Sequence, residues 1–281
     1  MALKGNGHKA RGGIVNLKLV VASQKGGVGK TTVSMNLSVA FAELGLRTLL
    51  VDTDPQGAIT LSLAKGSMEY PGLMELLSGR IKIKDALLKT NLNGLTLLPK
   101  GRLAMKNVPV YEKKLFQNQV LTKLFAAVDS HFDIIVIDTP AGLGMITRAA
   151  MKAGSHVLVP FKVDMLNLRS VNQILQVLDY VQTNENKELQ FLGLLLTMFE
   201  RETDTSYKVA GEVWKDFPLV LDTTIPRADI FHKASELGVP LSFMGSAKHP
   251  EARRFRALAE EILNLIKPEE DSEEQVVRRL L

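Results

Sequence analysis

Short apolar runs alternate with segments of helical spacing from residue 17 to about residue 267. The runs at 17–22, 48–51, 95–98, 134–137, 157–159, 191–196 and 220–225 are apolar, several of them without a break. Strands buried on both faces of a parallel sheet have this character. Between them, residues 31–44, 115–129, 170–181 and 206–216 carry the spacing of helices. The alternation predicts an α/β fold: a single doubly wound, mostly parallel β-sheet flanked by helices. The stretch 65–105 is less regular, with helical pieces at 72–77 and 85–88, and is expected to decorate the sheet edge. A last helix beginning near Pro250 places Phe255, Leu258, Ala259, Ile262, Leu263 and Ile266 on one face. No linker divides the pattern and no internal repeat occurs. The expected organisation is a flexible basic arm at 1–16, one α/β domain at 17–267 and an acidic tail at 268–281.

Charge adds a partner class to this picture. The formal net charge is +5, but residues 269–281 carry −3, which leaves +8 on the remainder. A basic body favours an anionic partner such as nucleic acid, acidic lipid or nucleotide, without choosing among them. The absence of cysteine excludes disulfides, thiolate metal sites and thiolate-ligated iron–sulfur clusters. Residues 1–13 are polar and basic with no apolar core, so no secretory leader is expected there. No apolar run approaches the ~18 residues of a membrane span. The expected location is cytoplasmic. The five histidines are scattered and form no ligand cluster.

The most specific chemistry lies at 23–32, Ser-Gln-Lys-Gly-Gly-Val-Gly-Lys-Thr-Thr, between the first apolar run and the first helical segment. A phosphate-binding loop needs this setting. Glycines let backbone N–H groups converge on phosphate oxygens, and the following helix N-terminus adds its dipole. In such a loop Lys30 reaches the β- and γ-phosphates of a nucleotide and the Thr31 hydroxyl ligates Mg²⁺. The pattern departs from G-x-x-x-x-G-K-[ST]: Gly26, Gly27 and Gly29 fall late, and a second lysine, Lys25, precedes them.

Two acidic sites follow at strand ends. Asp52 and Asp54 are separated by one residue, and an extended backbone would aim both at the phosphates. One can organise the Mg²⁺ shell and the other can orient a water for in-line attack. We assign the shell to Asp52 and the water to Asp54, while an ordinary strand-end Asp-Pro turn accounts for the pair equally well. Asp138 follows four apolar residues and fits an aspartate that holds Mg²⁺ through water. Residues 140–144 read as a switch loop sensing the γ-phosphate. Asp133 reads as the end of the preceding loop.

The run Lys25-Gly26-Gly27-Val28-Gly29-Lys30-Thr31-Thr32 resembles the deviant Walker A loop of the ParA/MinD family of P-loop ATPases, a SIMIBI-type P-loop NTPase fold. The similarity extends over roughly residues 17–266. It implies that Lys25 reaches across an ATP-bound homodimer to the nucleotide held by the other subunit. Residues 193–199 are similar to the family strand whose end frames the adenine, which places Thr197 and Met198 there. Residues 224–229, with Pro226 and Arg227, and 234–240 are similar to the loop that closes over the base in ParA proteins. The resemblance implies ATP and Mg²⁺ as cofactors, weak intrinsic ATP hydrolysis and a ParB-like activating partner.

Two cargo surfaces are conceivable for such a chain. Nonspecific DNA binding by the ATP dimer, with a nucleoid-associated location, draws on Arg169, Lys233, Lys248, Arg253, Arg254 and Arg256. It would be directed at phosphates and so dependent on salt. A MinD-like membrane helix at the C-terminus is disfavoured, because five acids would meet an anionic leaflet. A switch acting only on a protein partner is the remaining alternative. Metabolic relatives of this loop class find no support in the sequence. Reductase-type members carry cluster cysteines, tyrosine-kinase members end in a tyrosine cluster, and this chain has neither. The cargo itself, whether plasmid, chromosome or protein assembly, is not written in the sequence.

Overall fold

The structure is a computed structural model that describes residues 16–59, 70–163, 168–200, 204–217, 219–244 and 249–267. The expected arm and tail lie outside these residues, apart from Asn16.

Eight strands form one sheet in the order β3-β4-β2-β5-β1-β6-β7-β8. They are β1 (Leu17–Val21), β2 (Thr48–Asp52), β3 (Leu88–Lys89), β4 (Leu95–Leu98), β5 (Ile134–Asp138), β6 (His156–Lys162), β7 (Gln190–Phe199) and β8 (Ile225–Pro226). All neighbours are parallel except the edge pair β3–β4. The helices are α1 (Lys30–Glu43), α2 (Leu73–Leu77), α3 (Ile83–Ala86), α4 (Val108–Phe116), α5 (Val120–Ala126), α6 (Met145–Ala153), α7 (Leu168–Asn184), α8 (Asp204–Asp216), α9 (Ile230–Leu237) and α10 (Pro250–Leu265). The expected mostly parallel, doubly wound sheet is present.

The apolar runs are continuous because both faces of the sheet are covered. In β1, Leu19 and Val21 face one layer and Val20 the other. The first layer is α1 and α10, where Val33, Leu37 and Phe41 share a core with Phe255, Leu258 and Ile262. The second is built from α4 to α8 over Val20, Leu49, Val51, Ile135 and Ile137. The stripe expected on the last helix is the face α10 buries.

Three elements differ from the sequence pattern. The single helix expected at 115–129 is two, α4 and α5, joined by a turn at Gln117–Gln119 where Gln119 takes a left-handed φ of 52°. Pro109 sits in the first turn of α4, where its missing N–H costs nothing, so that helix begins earlier than its apolar stripe suggests. The polar residues 117–119 then interrupt the stripe. The helical piece expected at 85–88 is shifted to Ile83–Ala86, and Leu88 instead opens β3. The strand expected at 220–225 is reduced to β8 and one isolated bridge between Val220 and Leu194. The backbone N–H groups of Asp222 and Thr223 donate to the Glu261 carboxylate of α10, at 2.6 and 3.0 Å, instead of to a strand.

That carboxylate ties the β8 approach to the last helix. Glu261→Ala is expected to lower the unfolding free energy by about 1–2 kcal/mol, because it removes two charge-assisted hydrogen bonds that hold this segment to α10. The reading is a lower urea midpoint with an unchanged slope.

Candidate functional site

β1, β2 and β5 are central neighbours, and their register brings Val21, Asp52 and Asp138 to one level at the carboxyl edge. The chain leaves β1 through the loop at 22–29 and enters α1 directly. Gly27 and Gly29 carry it with φ of 72° and 88°, values that side chains resist, and Gly29 caps the helix in the left-handed conformation.

The loop residues converge as the motif predicts. Lys30 is buried, and its Nζ donates to the Lys25 carbonyl at 3.1 Å. Burial lowers its pKa, while the nearby Asp138 and Asp54 oppose this. Thr31 Oγ1 donates to Asp138 Oδ2 at 2.9 Å. Lys25 is half-buried in front of the glycine turn, and Gly26 approaches Ala141 of the 140–144 loop. That loop is tied back to the phosphate loop by Gly142 N–H, which donates to the Ser23 carbonyl at 3.2 Å. The Thr32 carbonyl accepts from Asn36 Nδ2 at 2.9 Å.

Both strand-end acids are fully buried. Asp138 also accepts from Ser34 Oγ at 2.7 Å. Burial raises its pKa from 3.8 to about 7, against the pull of the Ser34 and Thr31 hydroxyls. Asp52 is raised well above the carboxylate range, first by burial and then by Asp138 and Asp54. Its Oδ2 is buried with no hydrogen-bond partner. An oxygen donor set of this kind, with an orphaned carboxylate oxygen beside a second carboxylate and a hydroxyl, fits a hard divalent cation. No cage of three or more His, Asp or Glu side chains exists among the described residues. Mg²⁺ sites of nucleotide hydrolases need none, because phosphates and water supply the remaining ligands.

Asp54 reconciles the two sequence readings. β2 ends at Asp52, and the backbone does not stay extended beyond it. The Asp54 N–H donates to Asp52 Oδ1 at 3.2 Å, and Asp54 Oδ1 accepts from Gln56 N at 2.8 Å. Its carbonyl accepts from Gly57 N at 2.9 Å, closing a turn. A strand-end Asx turn thus sets a half-buried carboxylate beside Asp52.

At the other end of the loop, Thr197 Oγ1 donates to the Val28 carbonyl at 2.9 Å. The residue expected beside the base therefore joins β7 to the crest of the phosphate loop. Met198 has a left-handed φ of 53°, rare for a non-glycine residue. Phe199 pairs with Pro226, and Arg227 N–H donates to the Phe199 carbonyl at 3.2 Å, so Thr197, Met198, Pro226 and Arg227 lie together. Arg227 also pairs with Glu200 at 2.8 Å.

The expected cation surface is more dispersed. Lys233 is exposed on α9; Arg253 and Arg256 are exposed on α10, where Arg254 is half-buried. Arg256 is paired with Glu260 one turn on, at 3.1 Å. Lys248 and the Arg169 side chain lie outside the described residues.

Several site residues were not picked out from the sequence. Ser34, one turn after Lys30, is the second hydroxyl on Asp138. Thr53 and Thr139 each follow a strand-end aspartate: Thr53 Oγ1 donates to the Asp138 carbonyl at 2.5 Å and Thr139 Oγ1 to the Val21 carbonyl at 2.8 Å. The repeated Asp-Thr pair, at 52–53 and 138–139, was the available signal. Asn36 Oδ1 accepts from Leu241 N at 2.9 Å and so fixes the segment after Pro240 onto α1.

A phosphate loop running from a central strand into α1, with acids at the ends of the two adjacent strands, defines a P-loop nucleotide hydrolase. Residues 17–191 match a family model described as an AAA domain. The chromosome-partitioning ATPase Soj of Treponema pallidum (strain Nichols) is 33% identical over 252 residues, covering 87% of this chain and 96% of that protein. The chromosome partitioning protein ParA of Caulobacter vibrioides (strain NA1000 / CB15N) is 32% identical over 254 residues, covering 88% and 93%. Among solved structures, cobyrinic acid a,c-diamide synthase from Mycobacterium smegmatis, with a bound ATP analog and magnesium, superposes with a TM-score of 0.73. It is 33% identical and covers 88% of this chain and 93% of its own. This chain belongs to the ParA/MinD family of P-loop ATPases, and it is an ATPase with ATP and Mg²⁺ as cofactors.

The raised Asp138 carboxyl gives the nucleotide-free protein a pH signature. In the folded state this group keeps its proton from the ordinary carboxylate range up to about 7, where the unfolded chain has released it. Its contribution is therefore complete at the acid end and is lost as pH rises through about 7. Without Mg²⁺ and nucleotide, the melting temperature is expected to fall between about pH 4 and pH 7, with a shallower slope in Asp138→Asn. Thermal scans across that range check it.

Proposed function

We propose that this chain is a ParA-type partitioning ATPase, a nucleotide-switched homodimer that positions DNA or a cargo carried on DNA. The observation that carries the reading is the loop Lys25–Thr32 facing Asp52, Asp54 and Asp138 at one sheet edge. The likeness to partitioning proteins over most of the chain supports it.

Lys30 holds the nucleotide phosphates, and Thr31 with Asp138 and Asp52 holds the cation. When bound, Mg²⁺ neutralises charge on the phosphate oxygens. Thr197, Met198, Pro226 and Arg227 frame the base. Lys25 reaches the nucleotide of the opposite subunit, so that ATP promotes dimerisation. Asp54 orients the attacking water. The dimer pools the lysines and arginines of two subunits, among them Lys233, Arg253, Arg254 and Arg256, and its affinity for DNA rises as phosphate contacts add. A ParB-like partner stimulates hydrolysis, which dissolves the dimer and frees the DNA. Hydrolysis is the timer rather than the product. The reading places the protein in the cytoplasm on the nucleoid, with an arm at 1–16 and a tail at 268–281 flanking the ATPase domain. No described helix is long and apolar enough to cross a membrane.

Duplex DNA binding is to be measured with ATP, ADP and no nucleotide across a salt series. ATP-dependent binding whose log affinity falls linearly with log salt is expected. Absence of binding in all three states would remove DNA from the reading and leave a protein or membrane partner.

Three variants separate the steps. Lys30→Ala is expected to weaken ATP binding by about 100-fold or more, as loss of a desolvated charge partner does. Lys25→Ala is expected to bind ATP as a monomer and fail to dimerise in light scattering. Asp54→Ala is expected to hold a long-lived ATP dimer on DNA. Normal dimerisation by Lys25→Ala sinks the cross-subunit role.

A further inference from the structure

Tyr111 lies outside every motif of the site, on α4, and is fully buried in the core beneath the sheet. A buried phenol needs an acceptor for its hydroxyl. Any carbonyl would serve, but Tyr111 donates to the carbonyl of Thr53, at 3.2 Å and across 58 residues of sequence. That oxygen belongs to the peptide unit between Thr53 and Asp54. The N–H of the same unit donates to Asp52 Oδ1 at 3.2 Å. One peptide plane is thus held at both ends, by a phenol on its oxygen and by an active-site carboxylate on its hydrogen.

The peptide unit is planar, with its C=O and N–H pointing in opposite directions, so fixing one end fixes the other. A donor on the carbonyl also polarises the unit and strengthens its N–H as a donor toward Asp52. Burial, with Asp52 and Asp54 nearby, pushes the phenol pKa well up, so Tyr111 remains a donor at physiological pH. The helix that carries it reaches the second loop as well. α4 packs against α6, and α6 is tied to that loop by Thr147 Oγ1, which donates to the Gly142 carbonyl at 2.9 Å.

We propose that Tyr111 is a positioning residue for ATP hydrolysis, acting through the Thr53–Asp54 peptide unit to set Asp54 against Asp52. The inference rests on Asp54 as the water-orienting group. Tyr111 touches neither nucleotide contact nor cation ligand directly. Its loss is expected to act chiefly on the chemical step, through Asp54, and to reach the cation site only through the N–H that Asp52 accepts.

The test is Tyr111→Phe, which keeps the ring in the core and removes only the hydroxyl. Leu115→Val, at a buried apolar residue of the same helix with no hydroxyl to donate, serves as the stability control. With ATP and Mg²⁺, kcat of Tyr111→Phe is expected to fall about tenfold, as small misplacements of catalytic groups do, while KM for ATP stays within about twofold. Leu115→Val is expected to lose thermal stability and keep its kcat. Wild-type kcat in Tyr111→Phe, with Asp54→Ala inactive, overturns the role of Tyr111 alone. Equal losses of kcat in Tyr111→Phe and Leu115→Val overturn it too, since packing then explains both. Hydrolysis that survives Asp54→Ala overturns the Asp54 assignment and this inference with it.

Discussion

Two carboxylates without enough positive charge around them govern the carboxyl edge of this sheet. Asp52 and Asp138 stand at one level on adjacent strands, both wholly buried. Buried charges of like sign raise each other's pKa and cannot both ionise cheaply. Lys30 partly offsets Asp138 and Lys100 partly offsets Asp52, but burial outweighs both and depresses the Lys30 pKa as well. The edge therefore favours a proton or a divalent cation, and the ATP-bound state supplies the latter. The fold tolerates the arrangement because hydroxyls satisfy much of it: Thr31 and Ser34 leave Asp138 with two strong donors.

The same constraint explains the threonines. A catalytic edge must keep its strands in register where the ladder hydrogen bonds run out. Thr53 stitches β2 to β5 and Thr139 stitches β5 to β1, each by a side-chain bond to the last residue of the neighbouring strand. Thr197 extends the stitching from β7 to Val28, and Asn36 fastens the segment after α9 onto α1. The phosphate loop is thus held from the end of β7 as well as from the strand that precedes it.

Much of this was legible beforehand. Continuous apolar runs announced a sheet covered on both faces, and Lys25–Thr32 announced its ligand class, because a glycine-rich turn between a strand and a helix has few other uses. Asp52, Asp54 and Asp138 stand out by their place after apolar strands, and the structure brings them to one edge of the sheet. Less legible was the split of 115–129 into two helices, since a polar interruption can lie on a helix surface as easily as break it. The strand expected at 220–225 was lost to Glu261, a competitor 38 and 39 residues from the two N–H groups it accepts, which no local pattern contains.

The sequence by itself determined most of the elements, the phosphate loop and the kind of chemistry, because these rest on local periodicity and on motifs read within a few residues. The tertiary structure alone decided which hydroxyl meets which acid. It also decided that Tyr111 reaches the peptide unit whose N–H donates to Asp52. Such pairings join residues 58 to 107 positions apart. Strand order and register fix them, and both follow from how two hydrophobic layers close over the sheet.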